Sequence, residues 1–261
     1  MTYPLNEALN TSFFSPRNAH VCKPGRYNGL IAALCFTALE GALMLMPTAS
    51  HALDLDYQHQ YNEKDRDHTD KVMITQALDN GLAFSFQMVA SPAVKENGQP
   101  GQPFEHMTKD SLKGKVKYSH KLTKRLKFKP KFTYSQGKDK KSYKPAFKFP
   151  YELNNSFSVI PGYYYKVTTY KDDGKESKRD NVWSLGGKYR TDRMSIGIAR
   201  KEIYSNQIAF DGKKRNYSNK FVIDYKVTHR FIPYFEVADV YVDKDTDERQ
   251  ARYRVGFKYK F

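Results

Sequence analysis

The chain has 261 residues, of which 39% are hydrophobic, 15% aromatic and 28% charged, with a formal charge of +16; the length fits one large domain or two small ones. A polytopic helical membrane protein is excluded, because only the stretch near Gly29 to Ala49 approaches the ~20 apolar residues that a spanning helix needs. Twenty Tyr and seventeen Phe exclude a disordered chain, and confinement of the two cysteines to Cys22 and Cys35 excludes a disulfide framework or a Cys-ligated zinc module in the remainder.

The N-terminal segment reads as an export signal. Arg26 precedes the apolar run Leu30 to Leu39, the run resumes after Glu40, and Pro47 leads to Ser50, His51 and Ala52. A basic flank, an apolar stretch and small residues at the −3 and −1 positions predict a cleaved signal peptide over residues 1–52. It is longer than the usual ~15 to 30 residues, and an uncleaved anchor is the alternative. Cleavage after Ala52 leaves a cysteine-free chain that keeps all but three of its basic and all but two of its acidic residues.

From Leu53 onward hydrophobicity alternates with period two, the signature of half-buried strands. Twelve strands are predicted, at residues 53–61, 69–79, 82–90, 109–119, 125–135, 142–152, 157–169, 179–190, 193–204, 218–228, 231–242 and 250–261. In the last, Ala251, Tyr253, Val255, Phe257, Tyr259 and Phe261 alternate with Arg252, Arg254, Gly256, Lys258 and Lys260. Likewise Leu112, Gly114, Val116 and Tyr118 alternate with Lys113, Lys115 and Lys117, and Phe128, Pro130, Phe132 and Tyr134 with Lys127, Lys129 and Lys131.

The connections alternate too. Odd-numbered ones are expected to be longer and polar, including QGKDKK after the fifth strand. Even-numbered ones are short turns at Asn80-Gly81, His120 to Lys124, Asn154-Asn155, Thr191-Asp192 and His229-Arg230. That pattern predicts an all-β fold, a 12-stranded antiparallel up-and-down transmembrane β-barrel over residues 53–261, with long loops outside and tight turns on the periplasmic side. In hydrocarbon every backbone N–H and C=O needs a partner within the protein, so exported β chains cross only as closed barrels. A soluble sandwich has the same alternation. Strands of ~9 to 12 residues, aromatic residues near strand ends, and an aromatic-alternating ending at Phe261 that resembles an outer-membrane assembly signal favour the barrel.

In a barrel the charged face points into the lumen, where like charges within low-dielectric walls focus their field and attract anions. The predicted lumen-lining, substrate-binding residues are Lys113, Lys115, Lys117, Lys127, Lys129, Lys131, Arg179, Lys188, Arg190, Lys226, Arg252 and Arg254. Lys71, Lys144, Lys148, Lys166, Lys220 and Lys258 are further candidates. Asp54, Asp56, Asp224 and Glu236 would offset part of that charge, and Tyr164 and Tyr234 fall on the same face. Twelve strands enclose a lumen between the side-chain-filled eight-stranded barrel and the wide sixteen-stranded porin.

The segments KRDNVWSLGGKYR (Lys178 to Arg190) and FIPYFEVADVYVD (Phe231 to Asp243), with the ending RYRVGFKYKF, resemble the oligogalacturonate-specific (KdgM-like) porins. The resemblance spans the mature chain. It implies a twelve-stranded monomer passing acidic oligosaccharides between facing tracks of basic residues, with Arg179, Arg252 and Arg254 as matching positions. The chain departs from the family in its preference for lysine over arginine and in its long connection from Ser91 to Thr108. Lysine lacks the planar fork that grips carboxylate with two hydrogen bonds.

Two other classes are disfavoured, and a third is the rival. An outer-membrane enzyme needs a His beside a nucleophile, but His59, His68, His106, His120 and His229 fall in different strands or connections, and neither GxSxG nor HExxH occurs. Export argues against a nucleic-acid partner despite the basic charge. The rival is a non-conducting barrel serving as adhesin or structural protein. The expected partners are acidic oligosaccharides with outer-membrane lipid and lipopolysaccharide around the wall, and no cofactor or metal motif is present.

Overall fold

The computed structural model describes residues 53–261 apart from positions 96 and 173; the predicted signal peptide lies outside the described residues. Twelve long strands follow one another: β1 (Leu53–Asn62), β2 (His68–Ala77), β3 (Leu82–Pro92), β4 (Met107–Tyr118), β5 (Lys127–Gly137), β6 (Lys140–Lys148), β7 (Phe157–Tyr170), β8 (Lys178–Arg190), β9 (Met194–Ser205), β10 (Arg215–Tyr225), β11 (Phe231–Tyr241) and β12 (Arg249–Lys260). Each pairs antiparallel with its sequence neighbours, and β12 returns to pair with β1 from Asp54↔Lys260 to Asn62↔Arg252. The sheet is thus a closed cylinder without an edge, as the alternation predicts.

The register fixes which face each residue occupies, since residues directly opposite one another share a face. Phe84, Val116 and Phe132 lie in one row across β3, β4 and β5, all with exposed rings or side chains. Trp183 (60% exposed), Leu185, Ile198, Phe221 and Val255 continue this apolar outer wall. Aromatic pairs mark both ends of the wall, as girdles do at membrane interfaces: Tyr134–Tyr143 and Tyr163–Trp183 towards the long loops, Phe157–Tyr189 and Phe231–Phe257 towards the tight turns.

All five tight turns are closed by a short polar side chain that accepts backbone N–H donors, the role in which Asn and Thr excel. Asn80 Oδ1 accepts from Leu82, Thr123 Oγ1 from Arg125 and Leu126, Asn154 Oδ1 from Ser156 and Phe157, Thr191 Oγ1 from Met194, and Thr228 Oγ1 from Arg230 and Phe231. Gly81 supplies the positive φ that the first turn requires. Two-residue ladders, His120–Lys121 against β5 and Tyr151–Glu152 against β7, carry their hairpins down to these turns.

The odd-numbered end departs from the expected pattern at one place. QGKDKK forms no long loop: β5 runs to Gly137, β6 starts at Lys140, and only Lys138 and Asp139 join them. Similarly β10 begins at Arg215, three residues before its predicted start. Above the hydrocarbon an outward residue need not be apolar, so the hydrogen-bond ladder outlasts the hydrophobic alternation that reveals it in the sequence.

One interior joint is notable for its closeness. Gly256 has no side chain, and the Tyr234 ring lies over it, 2.7 Å from where a Cβ would stand. The phenol thereby reaches past β12 to donate to Asp56 Oδ1 on β1 at 2.8 Å, tying three consecutive strands at the closing seam.

Candidate functional site

The strand faces place eleven of the twelve predicted site residues on the inward parity. Lys113, Lys115 and Lys117 alternate with outward Val116; Lys127, Lys129 and Lys131 with outward Phe132; Lys188 and Arg190 with outward Leu185; Arg252 and Arg254 with outward Val255. Two expectations need correction. Arg179 shares its parity with Trp183 and pairs with Val167 on the outer wall, at the loop end of β8; the charged run KRD hid which of its members turn inward, and these are Lys178 and Asp180, 3.9 Å apart. Lys226 has inward parity but lies past the end of β10, where its Nζ donates to the Asp192 carbonyl oxygen at 3.1 Å. It closes the rim and lines no spanning segment.

Inside, cations outnumber carboxylates, and two of the carboxylates serve several cations each. Glu236 on β11 is nearly buried and receives Arg254 Nη1 at 2.6 Å, Lys220 Nζ at 3.1 Å and Arg252 Nη2 at 3.6 Å. Asp224 on β10 meets Lys258 at 3.1 Å and Lys188 at 3.9 Å. Neutral acceptors take up further donors: Gln60 Oε1 accepts from Lys71 Nζ at 2.9 Å and from Arg254 at 2.8 Å, and Gln87 Oε1 accepts from Lys115. At the periplasmic rim Lys127 pairs with Glu152 at 2.7 Å and holds that carboxyl below the ordinary glutamate range.

No ion pair among the described residues reaches Lys131, Lys144, Lys148 or Lys201. These four line one lumenal cavity of about 260 Å³ together with Lys188, Lys220 and Tyr164. Repulsion crosses the lumen between strands that are not neighbours: Lys113 acts on Arg254 and Lys166, Lys148 on Lys220, and Lys201 on Arg252. Tyr164 and Tyr234 each carry an ammonium over the ring, Lys144 Nζ at 5.1 Å from the Tyr164 centroid and Lys258 Nζ at 5.0 Å from that of Tyr234. A cation stacked on a ring is held in place yet keeps N–H donors pointing into water.

Lys201 is an inward cation that hydropathy alone does not reveal, as are Lys140 and Lys178 near the loop end. The run Arg200-Lys201-Glu202 breaks the alternation, because its two outer members face the outer wall. Counting outward from Ile198, which is 62% exposed, assigns Lys201 to the lumen.

A closed twelve-stranded barrel with a girdled apolar wall and a water-facing cationic interior defines an outer-membrane channel. The family described as oligogalacturonate-specific porin protein (KdgM) matches residues 46–261, and the chain belongs to it. It is therefore a porin of the Gram-negative outer membrane, and the family is one of channels and not of enzymes. Among relatives, the protein YiiY of Salmonella typhimurium, itself of uncharacterised function, is 27% identical over 223 residues, 84% of this chain and 95% of its own length. Among solved structures, the NanC porin superposes with a TM-score of 0.65 at 16% identity, covering 79% of this chain and all of that one. A KdgM porin in complex with disordered oligogalacturonate superposes with a TM-score of 0.58 at 20% identity, covering 80% and 99%.

Proposed function

We propose that this porin carries acidic oligosaccharides, such as oligogalacturonate or other uronate oligomers, by passive diffusion through an anion-selective lumen. The observation that carries the reading is the excess of inward cations, above all Lys131, Lys144, Lys148 and Lys201, which have no carboxylate within ion-pairing distance among the described residues. Unneutralised charge in a narrow, low-dielectric passage attracts a polyanion, and several weak sites in series let it move on. The family description and the oligogalacturonate in the KdgM complex support a uronate as the sugar acid. Lysine ammoniums act as point charges without bidentate geometry, so the carriage reads charge spacing more than carboxylate orientation. The barrel works as a monomer, delivered by a signal peptide removed after Ala52.

Planar-bilayer recording tests this directly. The expected result is discrete conductance with a reversal potential in a salt gradient that favours anions, and faster liposome swelling with oligogalacturonate than with a neutral oligosaccharide of equal length. A barrel that shows no channels would be an adhesin or structural protein, and cation preference would refute the lumenal assignment.

A further inference from the structure

The outer wall between the girdles is mostly apolar, with polar side chains gathered in two sectors: His59, His68 and Asp70 on β1 and β2, which bond to one another, and a larger, more basic sector. On β8 to β11, towards the long-loop end, the outward rows read Leu185–Arg200–Asn219–Asp239, then Trp183–Glu202–Tyr217, then Asn181–Tyr204–Arg215. Directly below them Gly187, Ile198, Phe221 and Val237 form an apolar row. The first of these rows, Trp183 and Glu202 of the second, and the apolar row bound a groove of about 880 Å³ on the outside of the wall, and Arg215 stands beside it, paired with Glu202. Charge on a lipid-facing surface is costly, by ~2 to 4 kcal/mol for a basic residue at the midplane and less near the interface, so its presence here calls for an anionic companion.

The charges are arranged for one. Arg249 is fully engaged: it donates to Asp239 Oδ1 at 2.6 Å and to the carbonyl oxygens of Tyr217 and Asp239, and its guanidinium lies 3.9 Å from the Tyr217 ring centroid. Arg200 and Arg215 instead share the single carboxylate of Glu202, at 2.7 and 3.2 Å, while their side chains stay 53% and 62% exposed. The two guanidiniums lie over aromatic rings, Arg200 over Tyr217 at 4.7 Å and Arg215 over Tyr204 at 5.5 Å. One positive charge is therefore left over, with preset N–H donors facing outward. Lys214, exposed in the adjoining loop, adds another.

We infer that this sector is a binding site for lipopolysaccharide, whose sugar-borne phosphate is clamped by Arg200 and Arg215 and whose acyl chains lie along Leu185, Gly187, Ile198 and Phe221. Charge complementarity, a floor of exposed apolar side chains, and a position at the long-loop end, where the outer leaflet lies, select this occupant. Guanidinium pairs suit phosphate because their donors meet two oxygens at once. A zwitterionic phospholipid brings a phosphate but also a cation, which Arg200 and Arg215 would repel.

Trp183, the only tryptophan in the chain, borders the groove and reports on it. Barrels would be refolded into vesicles of a brominated-acyl phospholipid, which quenches Trp183, and titrated with purified lipopolysaccharide. The wild type is expected to recover most of its emission near stoichiometric lipopolysaccharide, and the Arg200→Ala/Arg215→Ala double variant to need at least fivefold more. The Arg193→Ala/Arg230→Ala variant, with the same charge loss at the periplasmic rim, is expected to follow the wild type. Equal protection in both double variants would overturn the site, as would recovery of emission by a second copy of the barrel in place of lipid. Heat-dependent gel mobility verifies that each variant has folded, and unchanged conductance separates this result from the transport reading.

Discussion

Arg254 Nη1 donates to Glu236 Oε1 at 2.6 Å across neighbouring strands, while the same carboxylate also meets Lys220 and Arg252. Glu236 is thus the hub that permits three cations to coexist on one patch of lumen wall. Glu236→Gln is expected to strengthen anion preference and to weaken the barrel, because removing one member of a buried charge cluster costs about 3 to 5 kcal/mol. Reversal potentials and urea unfolding in vesicles read the two effects separately; unchanged stability would mean that water already neutralises the cluster.

The unpaired lysines should dominate selectivity. Neutralising Lys131, Lys144, Lys148 and Lys201 together by Gln is expected to lower the anion-to-cation permeability ratio severalfold, whereas neutralising Lys226, held by the Asp192 carbonyl at the rim, or the outward Arg179 should leave it nearly unchanged. The ratio should also fall as salt rises, since the screening length shrinks from ~8 Å at 0.15 M to ~3 Å at 1 M.

Gly256 is expected to be intolerant of any side chain. A Cβ there would stand 2.3 Å from the Tyr57 carbonyl oxygen and 2.7 Å from the Tyr234 ring, so Gly256→Ala should destabilise by roughly 1 to 3 kcal/mol through overpacking. Tyr234→Phe, which only deletes the hydrogen bond to Asp56, should cost about 1 kcal/mol. Unfolding midpoints in urea rank the two; the reverse order would show that the ring does not occupy the space over Gly256.

On the outer wall, Phe132→Arg should destabilise by ~2 to 4 kcal/mol, as for a basic residue at the bilayer midplane, while leaving single-channel conductance intact. A conductance change instead would place position 132 inside the lumen.

Strand number, order and face were legible in the sequence because a wall between lipid and water imposes a strict period of two, as in β12 from Arg249 to Lys260. Turn chemistry was legible as well: Asn80, Asn154 and Thr191 stand where the backbone needs a side-chain acceptor. What escaped lay above the hydrocarbon, where no medium enforces alternation. The ladder through Ser135, Gln136 and Gly137 reads as loop, and Arg179 and Lys201 sit in runs of three charged residues whose members cannot be told apart by hydropathy. The cationic lumen could be listed residue by residue, but which lysines share a carboxylate depends on contacts between strands far apart in the chain.

The seam of the ring joins its first and last strands, and at its edge Phe261 donates its N–H to the Leu53 carbonyl oxygen at 3.0 Å. The cylinder is therefore sealed only by the pairing whose partners lie farthest apart in the chain, and every other strand waits on that slow contact. A truncation that removed β12 would leave two open margins where there should be none, and such a product is destined for mispairing or proteolysis and not for a smaller working pore.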